Sequence, residues 1–409
     1  MNEKVKSVLK WVGFALSLYQ IAIGLFGTPT SLLHRPLSAG ILMFFLFVSV
    51  DANGKRGNNP KWYDWVLAFA TLACCAYAIL NANWFLSRFP YLTQVKVSEY
   101  IYGILMVLLV LEAGRRSMGW VMPSLAVLLI AYALFGHLLE GTLWHSKLSL
   151  GNLIEQLVMT TEGIWGSPTH AAVTVVFMFV LFGATLNATG TGEFFMDLSL
   201  CLTGRFSGAT AKTAVVSSGL MGMIQGSSIS NVVTTGTFTI PAMKKAGFPD
   251  YFAGAVETVA SCGGQIMPPV MGAAAFIMAD YTGIRYSNII KYAIIPALLY
   301  YTCTMLQVHF RSKKLGMKGL PREEIPSFWK ILKSKGVFLI PIVLIIVLLM
   351  NGYTAMRAGF IAIVTNFVLA MVFSKDRKSV LKKLLHQLQD APQQMGTVIA
   401  AVTNAGIII

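Results

Sequence analysis

The sequence predicts an all-α, polytopic membrane protein containing a re-entrant helical hairpin and a broken transmembrane helix. Three observations predict it. Only 12% of the residues are charged while 56% are hydrophobic, whereas a soluble domain carries roughly a quarter of its residues as charge to cover its surface. Apolar runs recur along the chain, several of them near the ~20 residues that a helix needs to cross the hydrocarbon core. Two long segments, 213–241 and 251–279, are interrupted in their middles by glycine, serine and proline.

The elements follow in order. Runs at 8–26, 37–50, 62–80 and 101–113, joined by short loops, make a four-span N-terminal module over 1–118. The basic and apolar start imitates a secretory signal. It lacks a small-x-small cleavage site and more spans follow, so it reads as a retained first helix. Trp11, Trp62, Tyr63, Trp65, Trp84, Tyr91, Tyr100 and Trp120 sit near the run ends, where amphipathic rings favour the membrane interface. A connecting region, 119–170, holds a fifth span at 120–139. It continues into an acidic stretch from Glu140 to His170, expected outside the cell with an interfacial helix near 152–165. Further runs lie at 171–186, 292–308, 337–350 and 355–373, with a basic loop at 311–335. Residues 376–390 alternate charge and leucine at helical spacing, which predicts a cytoplasmic surface helix. The five cysteines show no metal-ligand spacing and read as small apolar fillers.

A net charge of +15 would suit nucleic acid if the basic residues shared one polar face. Instead they alternate with the spans. With Lys4, Lys6 and Lys10 cytoplasmic, so are Lys55, Arg56, Lys61, Arg115, Arg116, Arg205, Lys212, Lys244 and Lys245, the eight between Arg311 and Lys335, and the five between Lys375 and Lys383. The other side receives Arg35, Arg88, Lys96, Lys147, Arg285, Lys291 and Arg357, which leaves 25 of 32 inside. That is the positive-inside asymmetry. The charge records a multi-pass topology in a lipid bilayer, with a cytoplasmic N-terminus and no nucleic-acid partner.

The first interrupted segment has Lys212 before it and Lys244–Lys245 after it. With both ends cytoplasmic, it must enter and return, turning near Gly226–Asn231. The alternative is one tilted span with a glycine-serine kink for helix packing. In the second segment, Pro268 has no N–H for the carbonyl of Gly264, nor Pro269 for that of Gln265, and Gly263–Gly264 add backbone freedom. The expected result is a broken helix with free carbonyls at depth, the type of site that binds sodium in transporters. Ser227 and Ser228 supply hydroxyl oxygens from the hairpin tip. Oxygen donors without a dense carboxylate cluster suit a monovalent cation. The alternative is a proline kink with no ligand. Gln225, Asn231, Thr234, Thr235 and Gln265 are candidate lining for a polar substrate pocket, though threonines also bond their own helix. Glu257, two turns before the break, is a buried-carboxylate candidate for proton coupling or pocket polarity. Glu193 and Asp197 are expected to face the membrane interface.

The stretches QGSSISNVVTTGTFTIPAMKKAGF (225–248) and GAVETVASCGGQIMPPVMGAAAFIMAD (254–280) resemble the large membrane subunit of TRAP transporters, in particular the fused permeases paired with TAXI-type solute receptors. The match is specific over about 170–310, and 1–118 resembles the fused small subunit more loosely. The resemblance implies an elevator-type, cation-driven uptake of small organic anions delivered by a periplasmic TAXI-type binding protein, in a bacterial inner membrane. It implies a cation site built from Ser227 or Ser228 with Gly264, Met267 and Pro268, with Na+ or H+ as the coupling ion and no other cofactor. Residues 171–409 then correspond to the first half of the large subunit, because such subunits continue into a second, oppositely oriented half. The chain ends within an apolar run at Ile409, and the expectation is that 1–409 alone does not transport. A homodimer supplying the second repeat in trans is the rival to that expectation.

Other function classes fit less well. The six histidines fall at span ends or in loops, against a haem-bearing electron-transfer subunit. No Ser-His, His-Glu-x-x-His or paired-Asp pattern lies in a span, against an intramembrane enzyme. An elevator carrier independent of any receptor is the alternative within transport. The charge asymmetry makes a direct prediction: cysteines placed at Lys318 and Lys147 should be labelled by membrane-impermeant reagents from opposite faces. Labelling of both from one face defeats the topology.

Overall fold

The computed structural model describes residues 3–56, 59–374 and 376–409; Lys375 and the side chain of Lys4, both used in the topology above, lie outside the described residues. Among the described residues the only β-type pairing is an isolated bridge between Val50 and Arg56. Among the described residues, nine helical stretches are long and apolar enough to cross a membrane, and each of the nine apolar runs read from the sequence falls on one of them. The chain divides into two compact units, Met1–Phe177 with Gln389–Ile409, and Met178–Leu388.

The first unit contains α1 (Glu3–Phe26), α2 (Ser31–Ser49), α3 (Trp62–Leu80), α4 (Ala82–Ser87), α5 (Val97–Met118), α6 (Val121–Phe135), α7 (Leu150–Ile154) and α8 (Ser167–Ala171). Carboxylates in the first turns of α3 and α5 fix where those helices begin. Asp64 accepts the Lys61 N–H at 2.8 Å and Glu99 accepts the Lys96 N–H at 2.7 Å, satisfying amides that no carbonyl within the helix reaches. The same two acids then bind arginines. Asp64 pairs with Arg116 at 2.7 Å, and Glu99 with Arg88 at 3.1 Å, with all four side chains no more than 2% exposed. Charges taken out of water persist where they are paired and hydrogen-bonded. Arg116 also binds Glu112 and the Val50 carbonyl. Between α2 and α3, a methyl on Gly40 would come within 2.7 Å of the Cys75 sulfur, so glycine sets the helix spacing there. Cys74 and Cys75 are buried and free.

The interfacial helix expected over 152–165 forms only as far as Met159, and it is largely buried. After α7 the backbone widens into a π turn, Glu155–Met159, and then bends through to Trp165. Glu155 is buried against Arg88 at 3.2 Å, and the buried Trp165 indole donates to the Val158 carbonyl at 3.0 Å. A buried arginine on a distant loop neutralises the acid, which removes the reason for the segment to stay in water.

The second unit runs from α9 (Phe177–Ala188) through α10 (Thr191–Thr203), α11 (Ala209–Gln225), α12 (Ser228–Lys245), α13 (Asp250–Gly263), α14 (Ala273–Thr282), α15 (Tyr286–Lys314), α16 (Phe328–Lys335), α17 (Ile340–Met350) and α18 (Ala355–Phe373). Helices α11 and α12 are the expected hairpin. At about 1.5 Å per residue its limbs measure roughly 26 Å, short of the ~30 Å hydrocarbon core. Its base closes on a buried apolar cluster of Ala211, Val215, Met243, Phe248, Val256 and Val308, drawn from both limbs, the turn after α12, α13 and α15. Lys244 pairs with Asp250 at 2.9 Å across the following turn. The surface helix expected at 376–390 does not stop where its amphipathic pattern stops: α19 (Arg377–Ile408) is one helix through Pro392.

Breaking the Asp64–Arg116 pair from one side leaves a bare charge in a dry interior. Arg116→Met should cost about 3 kcal/mol of stability, seen as a lower midpoint when tryptophan fluorescence follows thermal unfolding. Replacing both partners by apolar residues should recover most of that loss. An unchanged midpoint in Arg116→Met would mean the pair carries no stability.

Candidate functional site

The hairpin turns at Gly226, whose φ of +60° ends α11 in the left-handed region. A methyl there would collide with the Met271 carbonyl, so only glycine meets both demands. Ser227 caps α12, its hydroxyl accepting the Ser230 N–H at 3.4 Å. Opposite the tip, α13 passes into a short 3-10 turn, Gly264–Ile266, and an extended loop through Pro268–Pro269 to Gly272.

These two interruptions hold each other. Gly222 and Gly264 meet backbone to backbone, and a methyl on Gly264 would come within 2.6 Å of the Gly222 Cα. The Val270 N–H donates to the Met223 carbonyl at 3.3 Å, and the Gln265 amide donates to the Ser228 hydroxyl at 3.0 Å. Tyr286, from α15, donates its hydroxyl to the Pro269 carbonyl at 2.9 Å. The carbonyls that the prolines release find new donors: Gly264 accepts from Met267 N–H at 3.3 Å and Gln265 from Gly272 N–H at 2.7 Å. A carbonyl oxygen has a second lone pair, so each remains able to accept a ligand. Met267 and Pro268, the other proposed cation ligands, lie on the loop one and two residues past the 3-10 turn.

Two buried amide groups lie on the hairpin itself. Asn231 donates to the Ser218 carbonyl at 2.8 Å across the hairpin, and Gln225 donates to the Thr234 hydroxyl at 3.3 Å. Their oxygens, Asn231 Oδ1 and Gln225 Oε1, are buried with no protein donor. Buried acceptors are nearly always satisfied in folded proteins, so these two are places where a ligand gains most.

A cavity of about 480 Å³ opens beside α12. Asn187, Gly190, Glu193, Asp197, Thr234, Thr235, Phe238, Lys335 and Lys383 are among its walls. Of the six residues expected to form a substrate pocket, Thr234 and Thr235 line it directly. Gln225 reaches it through Thr234, Asn231 is enclosed within the hairpin, and Gln265 lies on the proline loop bonded to Ser228. Glu257 is fully buried behind Thr235 and binds the hydroxyls of Ser218, Thr235, Thr239 and Ser261.

Sequence reasoning missed the charged wall. Glu193 and Asp197, expected at the membrane interface, line the cavity and hold Lys335 at 3.7 and 2.9 Å. Their spacing of four residues on α10 was the available signal, since it places both on one helix face. Nothing local in the sequence points to Lys335 or Lys383, which arrive from more than 130 residues away. At 480 Å³ the cavity suits a small organic molecule, and its lining offers hydroxyl, amide and ammonium donors alongside two carboxylates.

The glycine crossing makes a paired prediction. Gly222→Ala should destabilise the protein by about 1–3 kcal/mol, because backbone on the facing segment cannot yield. Gly254→Ala, on α13 with open space around the new methyl, should instead stabilise by roughly 0.5–1 kcal/mol. Equal thermal midpoints for the two variants would contradict the interlock.

Comparison with known proteins gives the same region a lineage. Residues 105–409 match the family model described as "Tripartite ATP-independent periplasmic transporter, DctM component". Among curated relatives, the chain is 23% identical over 238 residues to the C4-dicarboxylate TRAP transporter large permease protein DctM of Vibrio cholerae, covering 57% of this chain and 50% of that one. It is 22% identical over 260 residues to the 2,3-diketo-L-gulonate TRAP transporter large permease protein YiaN of Escherichia coli, covering 63% and 59%. It is 25% identical over 246 residues to the sialic acid TRAP transporter large permease protein SiaM of Vibrio cholerae, covering 60% and 57%. The chain thus spans about half the length of the curated relatives it matches. With three quarters of its residues inside the family model, and with a hairpin and a broken helix interlocked in that region, the chain belongs to the DctM family of TRAP transporter large permeases.

Proposed function

We propose that this protein is the membrane permease of a secondary transporter that imports small organic anions, driven by a cation gradient and fed by a periplasmic TAXI-type solute-binding protein. The observation that carries the reading is the interlocked hairpin and broken helix, one bearing the unsatisfied oxygens of Asn231 and Gln225 and the other the carbonyls that prolines have released. Family membership and the organic-anion transporters among the relatives support it. In this reading the cation binds near Ser227, Ser228, Gly264, Met267 and Pro268, and the solute occupies the cavity lined by Thr234 and Thr235. Residues 1–118 act as a fused small subunit. The protein sits in a bacterial inner membrane with its N-terminus in the cytoplasm.

The proposed roles divide the polar groups by chemistry. Hydroxyl and carbonyl oxygens with no formal charge suit a monovalent cation, while Lys383 offers an ammonium to a solute carboxylate. Lys335 is already neutralised by Asp197 and Glu193, so an anion draws on it only by displacing them.

Cation binding can be read without transport, because a ligand that binds only the folded state raises its stability. Sodium, but not choline, should raise the thermal midpoint of the purified chain. Ser227→Ala or Ser228→Ala should weaken that rise, and so should Pro268→Ala, which lets the Gly264 carbonyl return to a helical bond. A rise preserved in all three variants would remove the site. The receptor is tested separately in vesicles: solute uptake that is equally fast with no soluble receptor would overturn receptor dependence.

A further inference from the structure

The Glu257 carboxylate is enclosed by hydroxyls and no cation. Ser218 and Ser261 donate to its Oε1 at 3.1 Å each, Thr235 makes a short bond to the same oxygen, and Thr239 makes one to Oε2. Glu257, Ser218 and Ser261 are 0% exposed, and among the described residues Glu257 forms no ion pair. A bare carboxylate at such depth is expensive. Glycine at 236 lets α12 pack directly on it, because a methyl there would come within 3.2 Å of the Glu257 Cγ.

The hydrogens of this cage can be arranged in two complete ways. With Glu257 ionised, Thr235 and Thr239 both donate to it. Each threonine also has a second acceptor one helical turn back: the Asn231 carbonyl is 2.8 Å from Thr235 Oγ1, and the Thr235 carbonyl is 3.1 Å from Thr239 Oγ1. With Glu257 protonated on Oε2, its new O–H donates to Thr239 Oγ1, whose own hydrogen turns to the Thr235 carbonyl. Protonation on Oε1 works the same way through Thr235 and the Asn231 carbonyl. Every hydrogen keeps an acceptor in both states, and only one hydroxyl has to rotate. A hydroxyl is both donor and acceptor, which is why this cage tolerates either state where a ring of amides or ammoniums would hold only the anion.

The cage also has a route to solvent. Thr235 bonds Glu257 on one side and lines the 480 Å³ cavity on the other. We propose that Glu257 is a proton-binding site, loaded from the cavity through the Thr235 hydroxyl. Any part it plays in driving transport rests on the transporter reading above. Other titratable groups on the packed elements are engaged elsewhere. Tyr301 of α15, within electrostatic reach, donates to the Ala260 carbonyl at 2.9 Å. Lys212 of α11 is on His309 at 2.9 Å, Lys244 of α12 is on Asp250, and across the cavity Lys335 is on Asp197. Cys262 lies exposed beside the cage on α13, and Lys383 faces the cavity.

Infrared difference spectroscopy of the 409-residue chain in phosphatidylcholine vesicles tests the site. Acidification should raise a protonated-carboxyl stretch in the wild type that is missing from Glu257→Gln. Thr239→Val keeps the shape and removes a donor to the charged form. The loss of that hydrogen-bond partner should move the frequency of the carboxyl stretch, which follows the hydrogen bonding of the group. Identical difference spectra in the wild type and Glu257→Gln, or an unmoved band in Thr239→Val, would overturn the proposal. So would a band abolished by replacing choline with sodium at constant pH and ionic strength, which would assign the cage to an alkali cation. The Thr239→Val band shift stands as the test if Glu257→Gln does not fold. No receptor or solute enters the measurement, so its failure leaves the transporter reading untouched, and a loss of receptor-fed uptake would leave the proton site untouched.

Discussion

Backbone amides and carbonyls cannot be left bare in hydrocarbon, and each one unsatisfied costs several kcal/mol. Every irregular feature of the second unit follows from that constraint. The hairpin interrupts one helical ladder at Gly226 and the double proline interrupts another at Pro268, and each break supplies partners for the other. Val270 donates to Met223, Gln265 to Ser228, and the two chains come close enough because Gly222 and Gly264 have no side chains. Neither break is stable alone at that depth. Together they leave unpaired side-chain oxygens on the hairpin and redirected carbonyls on the proline loop, so the polar character of this region is a by-product of how its backbone is satisfied.

Charge obeys the same rule in the first unit. Arg88 and Arg116 are almost fully buried, and each is held by two carboxylates. Asp64 caps a helix start with one oxygen and binds arginine with the other, while Glu99 uses Oε2 for both tasks and gives Oε1 to the Trp84 indole. The basic residues that record topology in the sequence are therefore also structural clasps between segments far apart in the chain. In the second unit the corresponding economy is hydroxyl-based: a carboxylate is kept by serine and threonine, with no counter-charge.

How much was legible in the sequence depended on whether the signal was local. The nine spans were readable because twenty apolar residues in a row have one physical solution in lipid. The hairpin and the broken helix were readable because glycine and proline have fixed backbone consequences, and the charged ends of 213–241 required a return. The Glu155–Trp165 segment was not readable, because its burial depends on Arg88, some 70 residues earlier. The cavity wall was half readable: Thr234 and Thr235 lie on the hairpin itself, whereas Lys335 and Lys383 join only through the fold. Glu257 could be recognised as a buried acid, but its four hydroxyl partners come from three helices, and no spacing within the chain predicts that convergence.

The hairpin's limbs are weak helices by composition. Helix α11 carries Gly219 and Gly222, and α12 contains Val232, Val233, four threonines, Gly236 and Pro241, residues that give up helical stability through backbone freedom, branched side chains or a missing N–H. Neither limb appears among the stretches apolar enough to cross a membrane unaided. What holds them is packing against α10, which precedes them in the chain, and against α13 and α15, which follow. During biosynthesis the hairpin therefore reaches the membrane with only part of its shelter in place. Its packing is completed only after α13 and α15 have followed it out of the ribosome.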